Sequence, residues 1–203
     1  MLAKNMKNIK NFSKNYFREA KKAINNLDLG KIKEIVEVLF EAYNNNKKIF
    51  IFGDGGSAAT ASHFACDLGN GTLKNVYDEN EKRFKVISLT DNVVTITALG
   101  NDLSFEDIFS QQLHNLVDKG DVVIGISGSG NSPNVIKAIR YAKKCGAKTI
   151  GFLGFKTGGK LSKLVDYKII VQDNHYGRIE DIHLMLGHLI TSNLDELKNW
   201  EKA

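Results

Sequence analysis

Five short, nearly unbroken apolar runs with helical spacing between them constrain this chain more than any other feature. They are "KKIFIFG" (47–53), "KVISLT" (85–90), "DVVIGIS" (121–127), "KTIGFLG" (148–154) and "YKIIVQ" (167–172). Strands apolar at almost every position are buried on both faces, as in parallel sheets. Helical segments are expected between them near 57–70, 105–118, 132–145 and 158–164, with a long helix over about 178–198. Alternating strand and helix implies one parallel sheet with helices on both faces. Before the first strand, residues 5–28 and 31–46 carry helical apolar spacing, with Ile32, Ile35, Val36, Leu39 and Phe40 on one face. The 203 residues read as one domain: N-terminal helices over 1–46, then the sheet and the last helix over 47–203.

Ligands of such sheets lie outside the carboxyl ends of the strands. Two loops expected there are rich in Gly and Ser. The first strand runs into "GDGGSAATASHFACDL" (53–68), where Gly53, Gly55 and Gly56 permit a tight turn and Ser57 is a candidate helix cap. This is neither GxGxxG nor GxxxxGK[ST], so no nucleotide cofactor is expected. The third strand runs into "GISGSGNSPNV" (125–135). There Ser132 suits the N-cap and Pro133 the first helical position. Ser127, Ser129 and Ser132 can present hydroxyls beside free helix N–H groups, as an anion cradle requires. Each loop alone reads equally as an ordinary strand–helix turn. Two of them on one sheet favour a phosphate or sugar site.

Composition narrows the class further. Two cysteines, Cys66 and Cys145, make neither a disulfide framework nor a CxxC metal pattern, which fits a reduced, cytoplasmic protein. No apolar run follows the lysines of "MLAKNMKNIKNF", so no signal peptide is expected, and no stretch is apolar enough for a membrane span. The net charge is +5, with much of the excess in the first 48 residues. No aromatic-interleaved basic motif accompanies it, so a nucleic-acid partner is not indicated. The charge reads as solvated helix faces, and a mild positive field also suits an anionic small substrate.

The titratable candidates lie on two helices. His63 and Asp67 share one helix face at i,i+4, where Asp67 can orient the imidazole, both can bind a metal, or the pair is a surface contact. The last helix holds "RIEDIHLMLGHLI". Glu180 and His183 are i,i+3 neighbours. His188 lies in an apolar run beside Gly187, where it is either a satisfied core histidine or a buried site residue.

The order "GDGGSAATASHFACDL", "TALGND", "GISGSGNSPNVIKAI", "RIEDIHLMLGHLI" resembles the phosphoheptose isomerases of the sugar-isomerase (SIS) domain family. The resemblance spans nearly the whole chain. It implies a flavodoxin-like three-layer αβα sandwich with a five-stranded parallel sheet, and a homotetramer with sites between subunits. It implies ketose–aldose isomerisation of sedoheptulose 7-phosphate to a heptose 7-phosphate that feeds surface-polysaccharide synthesis. Ser127, Gly128, Ser129 and Ser132 would surround the phosphate. Asp54, Gly55, Gly56, Ser57, Asn101, Asp102 and Glu180 would lie along the sugar. Zinc would be held by His63, Asp67, Glu180 and His188, with Asp67 and His188 as the acid/base pair. Two alternatives are a non-catalytic SIS module that binds a sugar phosphate or a protein partner, and an isomerase for a different phosphosugar. The late-helix His188 argues against the former.

The family's isomerases usually carry Glu at the position of Asp67, Gln at Glu180, Asn at Asp54 and Thr at Gly128. The Asp and Glu substitutions, with two histidines, still make a zinc-type donor set. Glu180 and His188 are eight residues apart on one helix, about 12 Å along its axis. Zinc bonds are only about 2.0–2.2 Å long. The expectation is that these two residues reach one ion from different chains.

Overall fold

A computed structural model describes residues 2–200, with side chains from residue 8 onward. The strands are β1 (Lys48–Gly53), β2 (Lys85–Ser88), β3 (Val122–Ser127), β4 (Lys148–Gly154) and β5 (Tyr167–Val171). They form one parallel sheet in the order β2-β1-β3-β4-β5, the flavodoxin-like winding. The helices are α1 (Leu2–Asn25), α2 (Leu29–Asn44), α3 (Gly56–Cys66), α4 (Val93–Asp102), α5 (Ser110–Leu116), α6 (Pro133–Lys144) and α7 (Tyr176–Trp200).

Alternation along the strands divides the core between the two faces. In β1, Ile49 and Ile51 pack with α2, α3 and α7, among Leu39, Phe64, Ile182 and Leu186. Phe50 and Phe52 point the other way, toward Phe109 and Leu113 of α5 and Val135 and Ile139 of α6. Gly125 of β3 admits α6 closely: a Cβ there would lie 2.9 Å from Val135 Cγ1.

Three local expectations need correction. Val93–Asp102 is helical, although its β-branched run carries weak helix propensity. The Asn92 side chain caps it by accepting the Thr95 N–H at 3.0 Å. Residues 158–164 make only a short 3₁₀ turn, Leu161–Lys163, because Gly158 and Gly159 take left-handed φ of 65° and 60°. Ser57 does not cap α3. Gly55 stands there with φ 56°, and Ser57 is buried within the first turn.

Candidate functional site

The chain leaves β1 toward β2 on one side and continues through β3 on the other. The switch point therefore lies between the carboxyl ends of β1 and β3, where a crevice opens in such sheets. A cavity of about 180 Å³ sits there. Ser127, Ser129 and Ser132 line one side of it, and Asp54 and Ser57 line another. Tyr176 and Glu180, from the first turns of α7, close it from above. The two Gly–Ser loops thus converge on one site, as the sequence predicts.

The serine loop is held by its own bonds. Ser127 Oγ and Ser132 Oγ lie 3.0 Å apart, and Ser127 Oγ accepts the Gly130 N–H at 3.1 Å. Ser129 Oγ accepts the Asn131 N–H at 3.1 Å. Ser132 occupies the N-cap of α6 with Pro133 next, yet its side chain makes no capping bond. Its hydroxyl turns toward Ser127 instead. Gly130 has φ 62°, and a Cβ on it would collide with the Gly158 carbonyl. The Gly130 carbonyl accepts the Leu161 N–H at 3.0 Å, so the turn after β4 braces the loop.

Among the described residues, no lysine, arginine or histidine lines the cavity, whereas two carboxyl groups do. Asp54 Oδ1 accepts the Asn134 side-chain N–H at 2.7 Å. Burial pushes the Asp54 carboxyl above its ordinary pKa, and the bonds from Asn134 and Ser132 only partly offset this. Glu180 lies over Gly56, where a Cβ would come within 2.5–2.9 Å of its carboxylate. Gly56 is therefore the residue that lets Glu180 reach the loop after β1.

The first turn of α7 is anchored. Arg178 makes two bonds of 2.6 Å to Asp173, which also accepts the His175 N–H at 2.8 Å. The guanidinium holds the Asp173 carboxyl below the usual carboxylate range.

A second cluster lies further along α3 and α7. His63 Nε2 and His188 Nε2 are 2.9 Å apart, and Asp67 Oδ2 is 3.2 Å from the former and 3.5 Å from the latter. At Asp67 the α3 helix widens into a π-helical turn, Asp67–Gly71, a form frequent at functional sites. Gly187 lets α7 approach: a Cβ there would touch the Phe64 ring at 3.4 Å. His188 is half exposed rather than buried. Two imidazole nitrogens and one carboxylate oxygen within 4.8 Å form a donor set of the kind that leaves zinc an open position. Around a tetrahedral ion with bonds near 2.0 Å, neighbouring donors stand about 3.3 Å apart, close to these spacings.

Glu180 does not belong to this cluster; it faces the serine cavity. Asn101 and Asp102 stand exposed at the end of α4, bonded to each other at 2.9 Å and away from the cavity lining. His183 is fully buried. Its Nε2–H donates to the Leu153 carbonyl at 2.9 Å rather than pairing with Glu180. Sequence reasoning missed Tyr176 and Asn134, which carry no local motif and become visible only once α7 and α6 are placed on the sheet.

Residues 14–154 match the SIS domain family. The chain belongs to the SIS domain family. It is 43% identical over 159 residues to the phosphoheptose isomerase of Nitratiruptor sp., covering 78% of this chain and 82% of that one. It is 37% identical over 172 residues to the phosphoheptose isomerase of Clostridium acetobutylicum, covering 85% of each. Among solved structures, the Neisseria gonorrhoeae phosphoheptose isomerase superposes on this SIS domain with a TM-score of 0.84 at 29% identity. That match covers 93% of this chain and 99% of the other.

Proposed function

We propose that this SIS domain is a phosphosugar isomerase that interconverts sedoheptulose 7-phosphate and an aldoheptose 7-phosphate. The observation that carries this reading is the convergence of two Gly–Ser loops at the β1/β3 switch point, beside a His–Asp–His cluster, in a chain whose relatives are phosphoheptose isomerases.

The serine hydroxyls and the α6 N-terminus suit the phosphate. The cavity is smaller than the roughly 300–1,000 Å³ of most ligand sites, so it takes the anionic end while the sugar extends beyond it. Asp54 and Glu180 are placed to accept sugar hydroxyls. In the reaction, a base removes a proton from C1 of the ketose, the electron pair forms the C1=C2 bond, and the C2 carbonyl oxygen takes up a proton to give the enediol. A proton then returns to C2, and O1 loses its own to become the aldehyde. Asp67 and His188 are the candidates for this exchange.

His63, Asp67 and His188 would hold a zinc ion, whose Lewis acidity would favour the charge that develops on the sugar oxygens. A His188 nitrogen bonded to metal cannot also carry the proton. Turnover with and without metal therefore separates the two uses. No helix among the described residues is long and apolar enough to cross a membrane.

We further read the site as shared between copies of the chain in a homotetramer. None of the α4 residues is buried, and Val93, Val94, Leu103 and Phe105 in and after it expose 57–77% of their surface. That helix also carries Asn101 and Asp102. This exposed apolar face supports cover by a second copy, which would give these two residues a place along the sugar. The test is a panel of C5 to C7 ketose phosphates, with added zinc and with chelator, following aldose by mass-resolved sugar analysis. Preferential conversion of the C7 ketose supports the proposal. No turnover under either condition removes it, and preference for a shorter sugar reassigns the substrate.

A further inference from the structure

Tyr176 is the aromatic residue at the mouth of the serine cavity, and nothing in the sequence singles it out. It is the first residue of α7, pinned by the Arg178–Asp173 pair described above. Its ring stands edge-on to Phe155, with centroids 5.0 Å apart and planes at 82°. Phe155 itself has φ 56°, a left-handed conformation that a bulky residue adopts only where its surroundings hold it. The ring therefore packs against Phe155 on one side.

Its other side meets the cradle. A Cβ built on Gly128 would lie 3.2 Å from both Cδ1 and Cε1 of Tyr176. Gly128 is not in the left-handed region, so its backbone would accept a side chain. A side chain there would press on the tyrosine ring, which would have to shift by a few tenths of an ångström. Gly128 and Tyr176 are thus complementary: the small residue between Ser127 and Ser129 makes room for the ring that walls the cavity. The phenol makes no hydrogen bond to the described residues, and 55% of the residue's surface is exposed. Its O–H is free for a ligand. The other walls offer hydroxyls and carboxyl groups, and a carboxylate repels an anion, which makes an additional neutral donor valuable there.

We infer that Tyr176 is a ligand-contacting, specificity-determining residue whose phenol O–H donates to the phosphate of a phosphate monoester in the serine cavity. This rests on the reading of that cavity as the phosphate end of the site. The experiment measures the dissociation constant of inorganic phosphate by ³¹P NMR titration for the full chain and four variants, with folding checked by circular dichroism. The variants are Tyr176→Phe, Tyr176→Ala, Gly128→Ala and the double variant Gly128→Ala/Tyr176→Ala. Steady-state turnover of sedoheptulose 7-phosphate runs beside it. Tyr176→Phe keeps the ring and its packing, so a loss there reports the hydroxyl alone.

The expected result is a three- to tenfold weaker phosphate affinity for Tyr176→Phe, with KM raised in step and kcat within twofold of wild type. Gly128→Ala should weaken binding about tenfold in the wild-type background and less than twofold where Tyr176 is already Ala. Wild-type affinity in Tyr176→Phe overturns the inference, whatever Tyr176→Ala shows. So does an equal effect of Gly128→Ala in both backgrounds, or a wild-type protein that does not bind phosphate. A protein that binds phosphate in this Tyr176-dependent way but turns over no heptulose phosphate refutes the isomerase reading and leaves this one standing.

Discussion

His183→Met is expected to remove most of one acid-sensitive component of stability. The ring is completely buried on the inner face of α7; its Nε2–H donates to the Leu153 carbonyl, and Nδ1 has no partner among the described residues. A charge in that position would be desolvated, so burial lowers the His183 pKa from the usual 6.5 to about 4. The depressed value fixes the sign. Between pH 6.5 and 4 the unfolded chain binds a proton here that the native chain refuses. Stability from this group is complete above pH 6.5 and is lost as pH falls toward 4. Integrating between pH 7.5 and 4.5 gives a loss of about 2–3 kcal/mol. Methionine does not titrate, but it leaves the Leu153 carbonyl without its donor, at a cost of about 1–3 kcal/mol at neutral pH. The variant should be less stable at pH 7.5 and draw level with wild type near pH 4.5. Carboxyl groups held below their usual range by partners, such as Asp173 beside Arg178, lose stability in acid in both proteins and cancel in the difference. Urea unfolding at matched protein concentration measures it. With slopes of about 2–3 kcal/mol/M, the gap between midpoints should change by about 1 M across this pH range. A gap that stays constant with pH would show that the ring is hydrated or already charged, contrary to the packing described.

Two further outcomes concern the cavity. Asp54→Asn should flatten the pH dependence of phosphate-ester binding. The carboxylate form, populated only above the raised pKa, repels the anion, so wild-type affinity should fall with rising pH beyond what the ligand's own ionisation explains. Parallel profiles for the two proteins, from calorimetric titrations between pH 5 and 8, would contradict this. Gly56→Ala should displace the Glu180 carboxylate, since the new Cβ falls within 2.5–2.9 Å of it. Turnover should drop at least tenfold while the melting temperature moves only a few degrees; unchanged turnover would place Glu180 outside the chemistry.

How much of this was legible in the sequence follows from how local each determinant is. The strands were readable because burial on both faces makes each of them apolar throughout. The serine loop was readable because Gly, Ser and Pro there satisfy a strand–helix turn over a few residues. The β-branched run 93–97 concealed α4, whose one local signal is the Asn92 cap. His188 was ambiguous because its apolar neighbours face the core through Leu186 and Ile190, while the imidazole points the other way, toward His63. His183, five residues earlier, reads in the sequence only as an i,i+3 neighbour of Glu180 and is a core residue. Tyr176 and Asn134 depend on where α7 and α6 lie relative to β1 and β3, which no short stretch encodes.

The central claim is that His188 carries a proton or a metal in a sugar isomerisation while the serine cavity, apart from it, holds the phosphate. Steady-state kinetics of His188→Ala with sedoheptulose 7-phosphate tests it most directly. The account predicts a fall in kcat of at least a hundredfold with KM changed by no more than a few-fold, because the imidazole lies outside the anion cavity. A variant that isomerises the sugar at the wild-type rate would contradict it.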